Sequence, residues 1–125
     1  MLYLDTHVVV WLYAGDIARF PPNAVSLMEM SDLLISPIVL LELQYLREIG
    51  RLVVEPAIIY ENLSSTIGLG LCGENFRRIV FEAMTQSWTR DPFDRIMAAH
   101  AIATDSRLLT KDQSILANCS KACWD

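Results

Sequence analysis

Four acidic residues stand at separated points where a short chain could deliver carboxylates to one pocket. They are Asp5 in Leu-Tyr-Leu-Asp-Thr, Glu42 in Val-Leu-Leu-Glu-Leu, Asp94 in Arg-Asp-Pro-Phe-Asp-Arg and Asp112 in Leu-Leu-Thr-Lys-Asp. Converging carboxylates repel one another and make good ligands for a hard divalent cation, so the pattern points to metal-dependent chemistry. Asp5 and Asp112 follow short apolar runs that read as strands. Glu42 and Asp94 fall in stretches that read as helices.

Each acid also has a plainer structural explanation. Asp5 could cap a helix or close a turn, although Thr6 competes as N-cap. Glu42 shares a helical face with Ile38, Leu46 and Ile49, so it interrupts an apolar stripe. An unpaired carboxylate there is costly, and the plain alternative is an ion pair with an arginine. With Pro92 at the first helical position, Asp91 is the natural N-cap, and Asp94 is the third helical residue. Asp94 is therefore the expected ligand and Asp91 the expected cap, with an outer-sphere role open to it. Asp112 could cap a turn near Ser114, and Thr110 could bond to a carboxylate or to a water.

The elements that must position these groups alternate between strand and helix. Expected strands are Leu2–Leu4, Leu33–Ile35, Leu52–Val54 and Leu108–Thr110, with a last one near Ala122–Trp124. The segment from Thr66 to Leu71 reads as a short strand or a loop. Expected helices run over His7–Tyr13, Asn23–Met30, Ser36–Ile49 with a stop at Gly50, from Pro56, Glu74–Gln86 and from Pro92 to about Thr104. A helical turn is expected near Ser114. The run Ile96–Ala103 is apolar nearly all round, as a core helix requires, and His100 reads as a helix residue with a satisfied ring. The alternation implies an α/β fold, with ligands gathering at the carboxyl ends of parallel strands.

Composition bounds the rest. A chain of 125 residues with 53% hydrophobic content reads as one ordered domain, residues 1–125. The apolar stretch from Val8 to Ala14 is too short to span a bilayer, and Asp5 lies too near Met1 for a signal peptide. The expectation is a soluble, cytoplasmic protein with no membrane partner. Cys72, Cys119 and Cys123 form no metal-binding pattern and read as reduced thiols. Fifteen acids against ten bases give a net charge of −5. An acidic chain speaks against a nucleic-acid binder. Setting aside Asp5, Glu42, Asp91, Asp94 and Asp112 leaves ten acids facing ten bases, so the excess charge equals the candidate site. There is no nucleophile elbow, P-loop or dinucleotide fingerprint.

The chain resembles PIN-domain ribonucleases, specifically the small VapC-like toxins of toxin–antitoxin pairs. Leu-Asp-Thr-His-Val at 4–8, Ser-Pro…Leu-Glu-Leu at 36–43, Arg-Asp-Pro-Phe-Asp-Arg at 90–95 and Leu-Leu-Thr-Lys-Asp at 108–112 match in order and spacing. Gly68–Gly73 and the tail after Asn118 carry no match. The resemblance implies a three-layer α/β/α sandwich with a central parallel sheet. It implies Mg²⁺, or Mn²⁺, held by Asp5, Glu42, Asp94 and Asp112, and endonucleolytic cleavage of RNA. It also implies a homodimer and a cognate antitoxin. The implied chemistry is phosphodiester hydrolysis by a metal-activated water, leaving a 5′-phosphate and a 3′-hydroxyl. Thr6 and Thr110 are candidates to orient water or carboxylates. Arg90, Arg95 and Lys111 are candidates for flanking phosphates, against the plainer reading of surface charge.

Three other readings compete. One is an RNA-processing PIN-like nuclease that is not a toxin. Another is a non-catalytic scaffold. The third is a receiver-like signalling module, which would need an acidic pair near the N-terminus and an aspartate after the third strand. Val54-Glu55-Pro56 stands there instead.

Overall fold

Five short parallel strands form one sheet in the order β3-β2-β1-β4-β5, in a computed structural model that describes residues 1–125. They are β1 (Leu2–Leu4), β2 (Leu33–Ile35), β3 (Gly70–Leu71), β4 (Arg107–Leu109) and β5 (Ala122–Cys123). The helices are α1 (Thr6–Ala14), α2 (Pro22–Glu29), α3 (Pro37–Glu48), α4 (Pro56–Ile67), α5 (Phe76–Met84), α6 (Pro92–Ala103) and α7 (Gln113–Asn118). A 3-10 turn covers Ile17–Arg19. The helices cover both faces of the sheet, giving the expected three-layer α/β/α sandwich. No helix is long and apolar enough to cross a membrane.

The central strands are apolar on both sides because both sides are covered. Leu2, Tyr3 and Leu4 are each 1% exposed, and Leu108 and Leu109 lie beside them. Tyr3 pairs with Leu34 on one side and Leu108 on the other. From β1 the chain winds outward through β2 and β3, then returns to place β4 on the opposite side of β1. The winding reverses between β1 and β4, and a crevice opens beyond the carboxyl ends of strands at such a reversal. Asp5 follows β1 directly, and Thr110 to Asp112 follow β4. A backbone bond from Asp5 N–H to the Leu109 carbonyl, 3.0 Å, ties the two ends together.

Most helix boundaries obey local chemistry. Ser36 caps α3 by accepting from the Ile38 N–H, with Pro37 at the first helical position. The helix closes at Ile49 and Gly50 follows with φ +81°, a left-handed backbone that favours glycine. Asp91 caps α6 ahead of Pro92.

Three expectations are corrected. The run Leu52–Val54 is no strand: Val53 is 88% exposed and the segment crosses the surface between α3 and α4. The third strand is instead Gly70–Leu71, inside the segment expected as a short strand or a loop, on the sheet edge beside β2. A Cβ at Gly70 would stand 2.9 Å from Leu34 Cδ2, the flexible end of a side chain that can move aside. Asp5, not Thr6, is the N-cap of α1. His100 is 3% exposed and packs beside the Tyr3 ring, but its Nδ1 has no hydrogen-bond partner.

Candidate functional site

The crevice beyond β1 and β4 is a cleft of about 520 Å³. Asp5, Glu42, Asp91, Asp94 and Asp112 all line it, with Thr6, His7, Trp11, Leu46 and Arg51 among their neighbours. Asp5 is 4% exposed and the most constrained of the acids. Its Oδ1 accepts from the Thr6 N–H at 2.6 Å, and its Oδ2 accepts from the Thr110 hydroxyl at 2.6 Å. His7 Nδ1 stands 3.4 Å from the same Oδ2, while His7 Nε2 accepts from the Lys111 N–H at 3.0 Å. An Nε2 that accepts leaves the proton on Nδ1, facing Asp5. Burial pushes the His7 pKa down, which keeps that neutral form.

Thr110, fully buried, connects two acids. Its hydroxyl donates to Asp5 and accepts from the Asp112 N–H at 3.0 Å. Asp112 itself caps α7 through the Ile115 N–H, 3.0 Å. Thr6 reaches in the other direction, its hydroxyl donating to Glu42 Oε1. Glu42 does not lie on the buried stripe of α3, which is Val39 and Leu43. It flanks that stripe, half-buried, while Ile49 is 47% exposed. No arginine pairs with Glu42, so the ion-pair explanation fails. Among the Lys and Arg ion pairs of the protein, none involves Asp5, Glu42, Asp91, Asp94 or Asp112.

Asp91 and Asp94 divide as their positions suggest. The Asp91 carboxylate accepts from Phe93 N–H at 2.8 Å and Asp94 N–H at 3.3 Å. The Asp94 carboxyl makes no hydrogen bond or ion pair and projects from the first turn of α6 into the cleft. Burial, then repulsion from Asp91, Asp5, Asp112 and Glu42, pushes its pKa up to about 7. Burial likewise raises Glu42 and Asp5. The Thr6 hydrogen bond opposes the shift at Glu42, and His7 and Thr110 oppose it at Asp5.

The donor set is entirely hard oxygen with uncompensated negative charge, which suits Mg²⁺ or Mn²⁺. The carboxylates are nevertheless spread around the cleft: no three His, Cys, Asp or Glu side chains form a ready-made ion cluster. Asp112, Glu42 and Asp5 are each turned toward their own protein donors.

The flanking cations are distributed differently from the acids. Arg95 donates to the Ala83 and Met84 carbonyls at the end of α5. Arg90 donates to the Ser87 carbonyl at 2.8 Å. Lys111 Nζ lies 5.8 Å from the Trp11 ring centre. None of the three lines the cleft; Arg51 does. His7, Trp11 and Arg51 were not singled out by sequence. His7 sits two residues beyond Asp5 and Arg51 directly after the helix-stopping Gly50, but neither position shows which way its side chain faces.

A family model described as the PIN domain matches residues 2–120. No curated protein sequence matches the chain. Among solved structures, a chain of VapBC2 from Rickettsia felis, bound to a DNA fragment from their promoter, is 22% identical with a TM-score of 0.70. That match covers 100% of both chains. A chain of VapBC-1 from nontypeable Haemophilus influenzae is 18% identical with a TM-score of 0.61, covering 100% of this chain and 97% of that one. At these identities the likeness is one of fold.

Proposed function

Because the chain belongs to the PIN domain family, we propose that it is a metal-dependent endoribonuclease, the toxin of a toxin–antitoxin pair, acting as one domain. The observation that carries this reading is the acidic cleft, lined by five carboxylates with which no lysine or arginine pairs. The likeness in fold to two VapBC structures supports the toxin role and an antitoxin partner.

Asp5, Glu42, Asp94 and Asp112 are the residues that would hold Mg²⁺ or Mn²⁺. When bound, the cation would supply an acidified water and stabilise negative charge on the phosphodiester. The protein's own contribution is positioning. Thr6, Thr110 and His7 hold the Asp5 and Glu42 carboxylates in fixed orientations, and such outer partners typically matter 10–100-fold to metal sites. Asp91 starts α6 and so aims Asp94. Water attack needs no 2′-hydroxyl nucleophile, so the products are a 5′-phosphate and a 3′-hydroxyl.

The test is cleavage of a structured RNA by the purified protein with Mg²⁺, Mn²⁺ or EDTA, beside Asp94→Asn prepared identically. Cutting that needs metal and vanishes in the variant supports the nuclease. A 2′,3′-cyclic phosphate end refutes the water mechanism, and no cutting with no metal binding refutes the enzyme. A homodimer is part of the proposal, supported by the exposed apolar side chains Leu41, Phe76, Phe81 and Met84. Light scattering on the purified protein checks it.

A further inference from the structure

We infer that Arg51 is the substrate-anchoring residue of the acidic cleft, holding a phosphate of the RNA strand next to the one that is cut. The inference rests on the nuclease reading and adds a contact site to it.

Arg51 is the single lysine or arginine that lines the cleft. An arginine facing five carboxylates would ordinarily neutralise one of them. Arg51 neutralises none: no carboxylate oxygen lies within ion-pair distance of it, and its side chain makes no hydrogen bond. Five other arginines are engaged. Arg19 pairs with Asp16, Arg47 with Glu55 and Arg78 with Glu74, while Arg90 and Arg95 donate to backbone carbonyls. Arg51 is left free at the mouth of the cleft where an anionic strand would have to pass.

Its backbone is well fastened even though its side chain is free. The left-handed Gly50 turns the chain out of α3, and the Arg51 N–H then donates to the Leu46 carbonyl at 2.8 Å. Beyond it, Arg47 Nε holds the Val53 carbonyl at 3.4 Å, and Arg47 pairs with Glu55 at 3.6 Å. Arg51 therefore springs from a pinned turn. Leu46, one helical turn beyond Glu42 on α3, also lines the cleft and leads from the acid to the arginine. With no carboxylate within ion-pair distance, Arg51 is assigned to a neighbouring phosphate and not to the one the acids surround. The guanidinium suits the task, because its planar fork grips phosphate oxygens in pairs.

The experiment is steady-state cleavage of a fluorescently labelled RNA by the full chain in Mn²⁺, from 50 to 300 mM KCl. Wild type is compared with Arg51→Ala, Arg51→Lys and Arg77→Ala, the last removing an exposed charge on α5 outside the cleft. Arg51→Ala should raise KM about tenfold with kcat within about twofold, as expected for one charge-assisted contact. The dependence of log KM on log salt should lose about 0.7 of slope, one phosphate contact on a single strand. Arg51→Lys should recover part of the KM, and Arg77→Ala should match wild type. Thermal melts of all four should agree, because Arg51 is exposed and makes no side-chain bond. Unchanged KM and salt slope in Arg51→Ala would overturn this inference and leave the nuclease standing. Loss of kcat alone would also overturn it, by placing Arg51 at the reacting phosphate. A wild type that neither cuts nor binds RNA would overturn the nuclease reading, and this inference with it.

Discussion

Replacing Asp94 by asparagine should stabilise the metal-free protein while abolishing its proposed activity. In the fold, burial and four neighbouring acids raise the Asp94 pKa from 3.8 to about 7. An acid whose folded pKa is raised is stabilising in its protonated form. That stability is fully present below about pH 4 and is lost progressively as pH rises through 7. At ~1.4 kcal/mol per pH unit, the full separation corresponds to roughly 4 kcal/mol above pH 7. Asp94 is partly exposed, so screening by water and salt reduces this to about 1–2 kcal/mol. Asparagine carries no charge and escapes the penalty. For a chain of this size, Asp94→Asn should then melt roughly 4–8 °C above wild type at pH 8 in EDTA. The advantage should fall to less than about a third of that at pH 4.5, where folded Asp94 is already neutral. Saturating Mn²⁺ should reverse the order, because wild type gains binding energy that the variant has lost. Circular-dichroism melts at the two pH values, with and without metal, decide the matter. A variant that melts at or below wild type at pH 8, or gains equally at both pH values, refutes the account of charge crowding.

Three further outcomes follow from the same geometry. Asp91→Asn should retain cleavage within a few fold, since asparagine caps helices as well as aspartate. Asp91→Ala should cost about 1 kcal/mol in a denaturant titration, and an Asp91→Asn as inactive as Asp94→Asn would show that Asp91 itself is a ligand. Thr110→Val keeps the shape but leaves the Asp112 N–H unbonded and frees Asp5; it should cost about 1–3 kcal/mol and weaken Mn²⁺ binding by about 10–100-fold in calorimetry. Arg95→Ala should lower the melting temperature by several degrees, through roughly 1–2 kcal/mol of lost bonds to the Ala83 and Met84 carbonyls. Its KM should stay unchanged, and a raised KM would reassign Arg95 to the substrate.

Local rules fix several helix ends. Ser36-Pro37 and Asp91-Pro92 mark helix starts because a capping side chain and a proline both suit a helix N-terminus in any surroundings, and Gly50 marks a stop because glycine accepts a positive φ. Asp5 and Asp112 could be placed together because strand ends in a parallel sheet point to one edge, while Glu42 and Asp94 stood out by their positions on helices. The structure places all four around one cleft, with Asp91 as the cap.

What sequence alone could not decide depends on partners far along the chain. Leu52–Val54 has the composition of a strand but finds no neighbour to pair with. Gly70–Leu71 has poor composition but lies beside Leu34–Ile35, and pairing outweighs propensity. Glu42 is half-buried and not fully so, because packing against the rest of the domain selects Val39 and Leu43 as the core face of α3. His7 meets the Lys111 N–H across 104 residues, and Arg95 turns to α5 while Arg51 turns to the cleft. The sequence determined which groups could do chemistry and where the proline-led helices begin. Tertiary structure decided which side chains face one another, because a side chain's direction is set by packing and long-range hydrogen bonds that no local pattern encodes.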